Sequence, residues 1–261
     1  MNTVIVPVDF SETSLHAARY AAQLLAGHYG VTMVLYHSYS RSSEAEKATT
    51  DLENLKAGLM KAHVVKMEIL ANEQGDFVDG LEKAARHRRA DLVIMGITGK
   101  SGLAQVFFGS NTLKMAERKV CPVLIIPQEA VFRPLKNVML ASDFRDTVET
   151  TPSVPIKDFL DVFNPQLHIV NVNKEHYISL TEDYEKEKQA LREMFTGYRP
   201  EFYFMRLYDV DEAINLFAES RDIDLIIAIQ KDQSFMGKLL NGSRTKILSF
   251  HSKMPILVMH E

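Results

Sequence analysis

The sequence repeats itself at a nearly constant spacing, which confines the chain to folds that can be built twice. Asp91-Leu-Val-Ile-Met returns as Asp224-Leu-Ile-Ile-Ala 133 residues later. Gly109-Ser110 returns as Gly242-Ser243, and Pro122-Val-Leu-Ile-Ile as Pro255-Ile-Leu-Val-Met, at the same offset. Asp9-Phe10 returns as Asp143-Phe144 at an offset of 134. Three segments in one register, with a fourth slipped by a single residue, mark a tandem duplication. The 261 residues therefore divide into two domains, 1–130 and 131–261.

Within the first half, Thr3 to Val8 is a β-branched run that reads as a buried strand ending at Asp9. Ser11 is placed to cap a helix whose one face carries Leu15, Ala18, Ala22 and Leu25, and Gly27 to Gly30 stop it. Val31 to Ser38 and Val64 to Leu70 read as strands around a polar-faced helix from Glu44 to His63. A helix from Gly75 and Asp76 through about Arg89 leads into a strand from Asp91 to Met95, ending at Gly96. Leu113 to Arg118 has good helix composition, and Pro122 to Ile126 is a fifth strand. Strands alternating with helices predict an α/β fold of two tandem Rossmann-like domains. Each has a five-stranded parallel sheet with helices on both faces. Such sheets bind ligands outside the carboxyl ends of their strands, near the point where strand order reverses, and Asp9, Ser38 and Gly96 lie at such ends.

The stretch from Met95 to Thr112 carries the chemistry. Its glycines are spaced Gly96-x2-Gly99-x9-Gly109, followed by Ser110. Glycine permits turns with positive φ and lets a bulky anion approach main-chain N–H groups. A helix opening at Gly109-Ser110 adds unpaired donors and the positive end of its dipole. Strand, glycine loop and helix N-terminus together describe a phosphate cradle, distinct from the GxxxxGK[ST] and GxGxxG patterns. Ser110 and Thr112 offer hydroxyls and N–H groups there, and Lys100 either adds charge to the cradle or is a solvated loop lysine. Asp9 can accept from a ribose hydroxyl or an adenine amino group, or serve as the cap of the helix that follows. His37 reads as a hydrogen-bonded core histidine. Leu103, Val106, Phe107 and Phe108 read as packing residues.

Composition removes several other functions. A net charge of −4, with no basic stripe interleaved with aromatics, gives no case for nucleic acid. Arg86-His87-Arg88-Arg89 is basic but closes a helix, where cations suit the dipole. The single cysteine, Cys121, excludes an internal disulfide framework and fits a reducing compartment. No apolar run approaches membrane-spanning length and no secretory leader is evident, so a cytoplasmic protein without a membrane partner is expected. No Ser/His/Asp order, metal-ligand spacing or paired carboxylates stand out, so no catalytic residue and no protein-bound metal is assigned.

The second half departs at the cradle. Ile229 stands where the first half has Gly96, and Asp232 where it has Gly99. A β-branched side chain in a glycine-only conformation costs on the order of 1–3 kcal/mol. A carboxylate beside a polyphosphate costs roughly 1–4 kcal/mol per close pair. Pro152 and Pro155 delay the first helix as well. Gly242-Ser243-Arg244 could hold a lone anion, but the site is expected to be degenerate.

Val6-Pro7-Val8-Asp9-Phe10-Ser11, taken with Met95-Gly96-x2-Gly99-x9-Gly109-Ser110, closely resembles the universal stress proteins. The resemblance spans the chain as a tandem pair, complete in the first half and partial in the second. It implies an ATP-binding regulatory stress-response protein, with ATP held alone or with Mg²⁺. It assigns nucleotide contacts to Pro7, Val8, Asp9, Ser38, Met95, Gly96, Gly99, Gly109, Ser110, Asn111 and Thr112. Thr98 stands where the family often has histidine or arginine, and Ser38 where it is usually apolar. The family further implies an intramolecular pseudo-dimer joined through the strands that begin at Pro122 and Pro255, leaves a homodimer open, and names no protein partner. A slow ATPase or phosphotransfer enzyme and a nucleotide-free interaction scaffold stand as the alternatives.

Overall fold

The computed structural model describes residues 1–97, 110–173, 182–206, 210–230 and 254–261. They fall into two compact units, Met1–Phe132 and Arg133–Glu261. The first unit runs β1 (Thr3–Pro7), α1 (Glu12–Leu24), β2 (Thr32–Tyr39), α2 (Ala45–Ala62), β3 (Lys66–Glu73), α3 (Phe77–Arg88), β4 (Leu92–Ile97), α4 (Ser110–Glu117) and β5 (Val123–Pro127). Its sheet has the order β3-β2-β1-β4-β5, and every pairing is parallel. Right-handed crossovers then put α1 and α2 on one face, and α3 and α4 on the other. In agreement, α3 packs on β1, β2 and α4, while α1 packs on β1 and β4. Continuous apolar runs such as Val4-Ile-Val and Leu92-Val-Ile are wholly buried, as a sheet covered on both faces requires.

Local chemistry sets the ends of these elements. The Ser11 hydroxyl accepts from the Ser14 N–H as the N-cap of α1, and Asp76 accepts from the Asp79 N–H at 3.0 Å as the cap of α3. α3 closes with Arg89 in the left-handed region (φ 47°). Within its basic run, Arg86 pairs with Glu82 and Arg88 with Glu68. The boundary expected at Gly96 moves: β4 continues through Ile97, and Gly96 lies inside the strand, paired with Ile126.

The second unit repeats the plan with β6 (Asn137–Ser142), α5 (Thr147–Thr150), α6 (Ser153–Phe163), β7 (Gln166–Asn173), α7 (Glu182–Met194), β8 (Glu201–Arg206), α8 (Val210–Ser220), β9 (Leu225–Gln230) and β10 (Ile256–His260). Its strand order, β10-β9-β6-β7-β8, is that of the first unit with each strand replaced by its repeat. The proline pair breaks the first helix rather than merely delaying it. A four-residue turn stops at Thr151, whose extended backbone (ψ 114°) suits the residue before a proline, and the helix restarts at Ser153. Pro155 falls in the first turn, where a missing N–H costs nothing. Among the described residues, no helix is long and apolar enough to cross a membrane.

One clamp occurs in both units. The Asp91 carboxylate accepts from the N–H groups of Asn2 (2.6 Å) and Thr3 (2.9 Å), while its own N–H donates to the Thr3 carbonyl. Asp224 does the same with Lys136 (2.8 Å), Asn137 (3.0 Å) and the Asn137 carbonyl. Each clamp seats the first strand of its unit against the fourth.

The second unit also buries a titratable group that the sequence did not flag. The His168 imidazole on β7 is 5% exposed, and its Nε2–H donates to the Asn137 side-chain oxygen at 3.3 Å. Its Nδ1 lies 3.7 Å from a Glu201 oxygen, and Glu201 also accepts from the Tyr203 hydroxyl. Burial lowers the His168 pKa; Glu201 pulls it back and Arg221 adds to the lowering. A folded-state value below the unfolded one, about 6.5, means that the unfolded chain takes up the proton first. The associated stability is present above pH ~6.5 and is lost as pH falls through the folded value. Urea unfolding monitored on the second unit is expected to weaken over that range, and the dependence is expected to flatten in His168→Asn.

Candidate functional site

The carboxyl ends of β1, β2 and β4 are neighbours at the one place in the first unit where strand order reverses. From β1 the chain steps outward to β2 and β3, then returns to β4 on the other side. Helices leaving adjacent strands on opposite faces open a crevice at such a point. Pro7, Val8 and Asp9 close β1, while Ser38 and Gly96 are each one residue short of the ends of β2 and β4.

Side chains and backbone contribute differently at these positions. Pro7, Val8 and Met95 are buried, so their side chains belong to the core. The Val8 N–H donates to the Tyr36 carbonyl at 2.7 Å, and the Val8 carbonyl accepts from His37 Nδ1 at 2.6 Å. A carbonyl only accepts, so the His37 proton sits on Nδ1. This is the hydrogen-bonded histidine the sequence suggested. Ser38 is half-buried, opposite Asn72 of β3.

Asp9 is exposed and takes a structural role different from the helix cap expected of it. Ser11 is the cap, and Asp9 accepts from the Ser11 N–H at 3.0 Å, two residues on, in a turn that delivers the chain into α1. Burial pushes the Asp9 carboxyl up, but bonds from the Ser11 and Ser14 hydroxyls and from the Ser11 N–H outweigh it and hold the group below its ordinary value. Phe10, between them, is left-handed at φ 63°, with its ring 5.1 Å from His37. The repeat reproduces this turn: Asp143 accepts from the Arg145 N–H, and Phe144 has φ 53°.

Gly96 is the largest departure from sequence reasoning. Its backbone is not in the left-handed region; among the described glycines only Gly27 is. Glycine is required because a Cβ here would lie 2.6 Å from the Thr13 carbonyl oxygen and 2.7 Å from its methyl group, in the first turn of α1. The conformational penalty assigned to Ile229 is corrected on the same ground. Ile229 is an ordinary buried strand residue paired with Met259, and its backbone has no positive φ. The difference between the units at this position is one of packing.

The front of α4 completes the described part of the site. Thr112 is buried and its hydroxyl donates to the Gly96 carbonyl at 2.9 Å, tying the first turn of α4 to the end of β4. That proton is thus committed to the framework, so the hydroxyl hydrogen expected to reach a phosphate is already used. Asn111 is exposed, and Ser110 opens the helix, whose first N–H groups have no intrahelical acceptor. Gly99, Lys100, Leu103, Val106, Phe107, Phe108, Gly109, Asp232 and Gly242 to Arg244 lie outside the described residues. The described parts therefore bring together two strand ends, a tightly packed glycine and a helix N-terminus, an arrangement suited to binding an anionic ligand through main-chain donors. No group of three His, Cys, Asp or Glu side chains placed to hold a metal occurs among the described residues.

Residues 1–127 match the model of the Universal stress protein family. The chain is 27% identical over 134 residues to a universal stress protein of Thermus aquaticus, covering 48% of this chain and 97% of that relative. It is 28% identical over 114 residues to a universal stress protein of Bacillus subtilis, covering 43% of this chain and 76% of that one. A solved universal stress protein from Archaeoglobus fulgidus superposes with a TM-score of 0.74 over 99% of this chain and 98% of its own, at 19% identity. That last likeness is one of fold, and it extends over both units.

Packing at Gly96 makes a prediction that needs no ligand. Gly96→Ala drives a Cβ into helix backbone and is expected to destabilise the protein by about 1–3 kcal/mol, read by urea unfolding of nucleotide-free protein. Gly75→Ala, with nothing within 4 Å of the added methyl, is the matched control and is expected to unfold close to wild type.

Proposed function

We propose that this protein is a tandem universal stress protein that binds ATP in its first unit and uses the bound nucleotide to set its conformation or its affinity for a partner. The observation that carries this is the reversal of strand order between β1 and β4, with the N-terminus of α4 beside it, inside the segment that matches the family. In this reading the main-chain groups of Pro7, Val8, Ser38 and Met95 contact the nucleoside, with the exposed Asp9 carboxylate. Gly96, Gly99, Gly109, Ser110, Asn111 and Thr112 supply N–H groups to the phosphates. Mg²⁺, if it accompanies ATP, is held chiefly through those phosphates. The second unit carries Ile229 in place of Gly96 and Asp232 in place of Gly99, and leaves ATP unbound.

Calorimetric titration is expected to give one ATP per chain. Gly99→Asp, which copies the second unit into the first, is expected to weaken binding by a factor of about 10² or more, at about 1.4 kcal/mol per tenfold. Two sites per chain, or wild-type affinity in Gly99→Asp, would contradict the reading.

A regulatory nucleotide need not turn over. Asp9 is tied into the turn before α1, and His37 Nδ1 is tied to the Val8 carbonyl. Steady-state ATP hydrolysis is expected below about 1 s⁻¹, the low end for enzymes. A faster rate that survives repeated purification and is lost in Asp9→Asn would place the protein among the ATPases instead.

A further inference from the structure

We propose that Phe10 is the residue on which the base of the bound nucleotide stacks, a role that rests on the nucleotide reading of the first unit given above. Phe10 directly follows Asp9 at the carboxyl end of β1, half-buried and at φ 63°. A left-handed backbone is costly for a bulky side chain and open to glycine. The turn alone would therefore favour glycine at this position. Both units nevertheless hold a phenylalanine there, Phe144 having φ 53°. The ring has a use beyond the turn.

The second unit shows what such a ring takes. Val8, Phe10 and His37 correspond to Ser142, Phe144 and Asn171, each 134 residues on. His37 donates to the Val8 carbonyl at 2.6 Å and Asn171 to the Ser142 carbonyl at 3.1 Å, so the chain entering the two turns is tied alike. Each phenylalanine has a ring neighbour set at an angle: His37 at 5.1 Å and 57° for Phe10, Phe202 at 6.3 Å and 79° for Phe144. Phe144 has a further neighbour. The Tyr184 ring of α7 lies stacked on it at 5.1 Å and 26°, and Phe144 is buried. Stacking of flat rings is also how aromatic side chains hold nucleobases.

The corresponding segment of the first unit offers no ring of its own. From Ser40 through Ala62, which includes α2, no aromatic residue occurs. The two units thus differ in a paired way. The one with Gly96, Gly99 and Gly109 leaves Phe10 half-buried, and the one with Ile229 and Asp232 covers Phe144 with its own tyrosine. In the first unit a planar base takes the position on the phenylalanine that Tyr184 holds in the second. The neighbouring Asp9 carboxylate suits its exocyclic amine or the ribose hydroxyls.

The chain contains no tryptophan, so Phe10→Trp in the full chain places a single indole at the stacking position. ATP is expected to quench its fluorescence in a saturable titration, as a base stacked on indole does, while inorganic tripolyphosphate leaves the emission unchanged. Calorimetry provides the second measurement. Phe10→Gly, which suits the left-handed turn, is expected to fold and to bind ATP about tenfold more weakly or worse, and Phe10→Tyr to bind close to wild type. Wild-type ATP affinity in Phe10→Gly, or ATP bound by Phe10→Trp without quenching, would overturn this inference and leave the nucleotide reading standing. A wild-type protein that binds no ATP would overturn both.

Discussion

The carbonyl oxygen of Thr13 occupies the space that a side chain on residue 96 would need, and the first unit is arranged around that contact. α1 can lie this close to β4 because it buries small residues, Ala17, Ala18, Ala21 and Ala22, beside its larger ones. Small residues let a helix backbone approach a sheet, and glycine at the contact lets it approach furthest. The Thr112 hydroxyl then bonds the Gly96 carbonyl, so the same residue anchors the start of α4. One glycine thereby fixes the first turn of α1 and the first turn of α4 against the end of β4. That three-way junction lies beside the point where strand order reverses. Any side chain at residue 96 would have to move a helix.

Duplication offers an internal comparison of what is framework and what is site. Strand order, the Asp91 and Asp224 clamps, and the Asp-Phe turns at Asp9 and Asp143 recur in both units. These set register and chain direction in each unit. The junction at β4 does not recur. In the second unit the first helix is broken at Thr151-Pro152, and a β-branched residue fills the position of the glycine. The α5 turn is held differently too: the Glu187 carboxylate on α7 accepts from the Thr147 N–H (2.7 Å) and hydroxyl (2.6 Å). Phe144, at the end of β6, is stacked on Tyr184 of α7 at 5.1 Å. The second unit has kept the sheet and rebuilt the helical cover beside its first strand.

Much of this framework was legible because its signals are local. Apolar runs marked the strands of the first unit to within a few residues, and Ser11 and Asp76 marked two helix starts through their side-chain caps. What could not be read depends on contacts between distant residues. Asp91 meets its partners 88 and 89 positions away, and an acidic residue before a strand carries no periodic signal of that pairing. His168 gathers Asn137 and Glu201 from two other strands. At Gly96 the sequence marked the right residue and suggested the wrong cause, because glycine spacing says that a side chain is excluded without saying what excludes it. The half of the cradle from Gly99 to Gly109 lies outside the described residues, so for those positions the motif itself is the argument.

The Asp9 turn constrains how a nucleotide could lie in the crevice. Because Asp143 builds the same turn in the unit where Ile229 and Asp232 replace two of the three glycines, the presence of Asp9 is explained by the chain reversal alone. Its recurrence therefore says nothing for or against a ligand. Its charge does say something. Hydrogen bonds hold the carboxyl below its ordinary value, so it stays ionised at neutral pH, exposed at the end of β1. A fixed negative charge there repels phosphates and favours donors, such as ribose hydroxyls or an exocyclic amine. The N-terminus of α4, on the far side of β4, has the opposite preference. In the proposed nucleotide reading, these two preferences direct the phosphates toward α4 and the nucleoside toward β1. The polarity comes from one turn and one helix that the fold needs in any case.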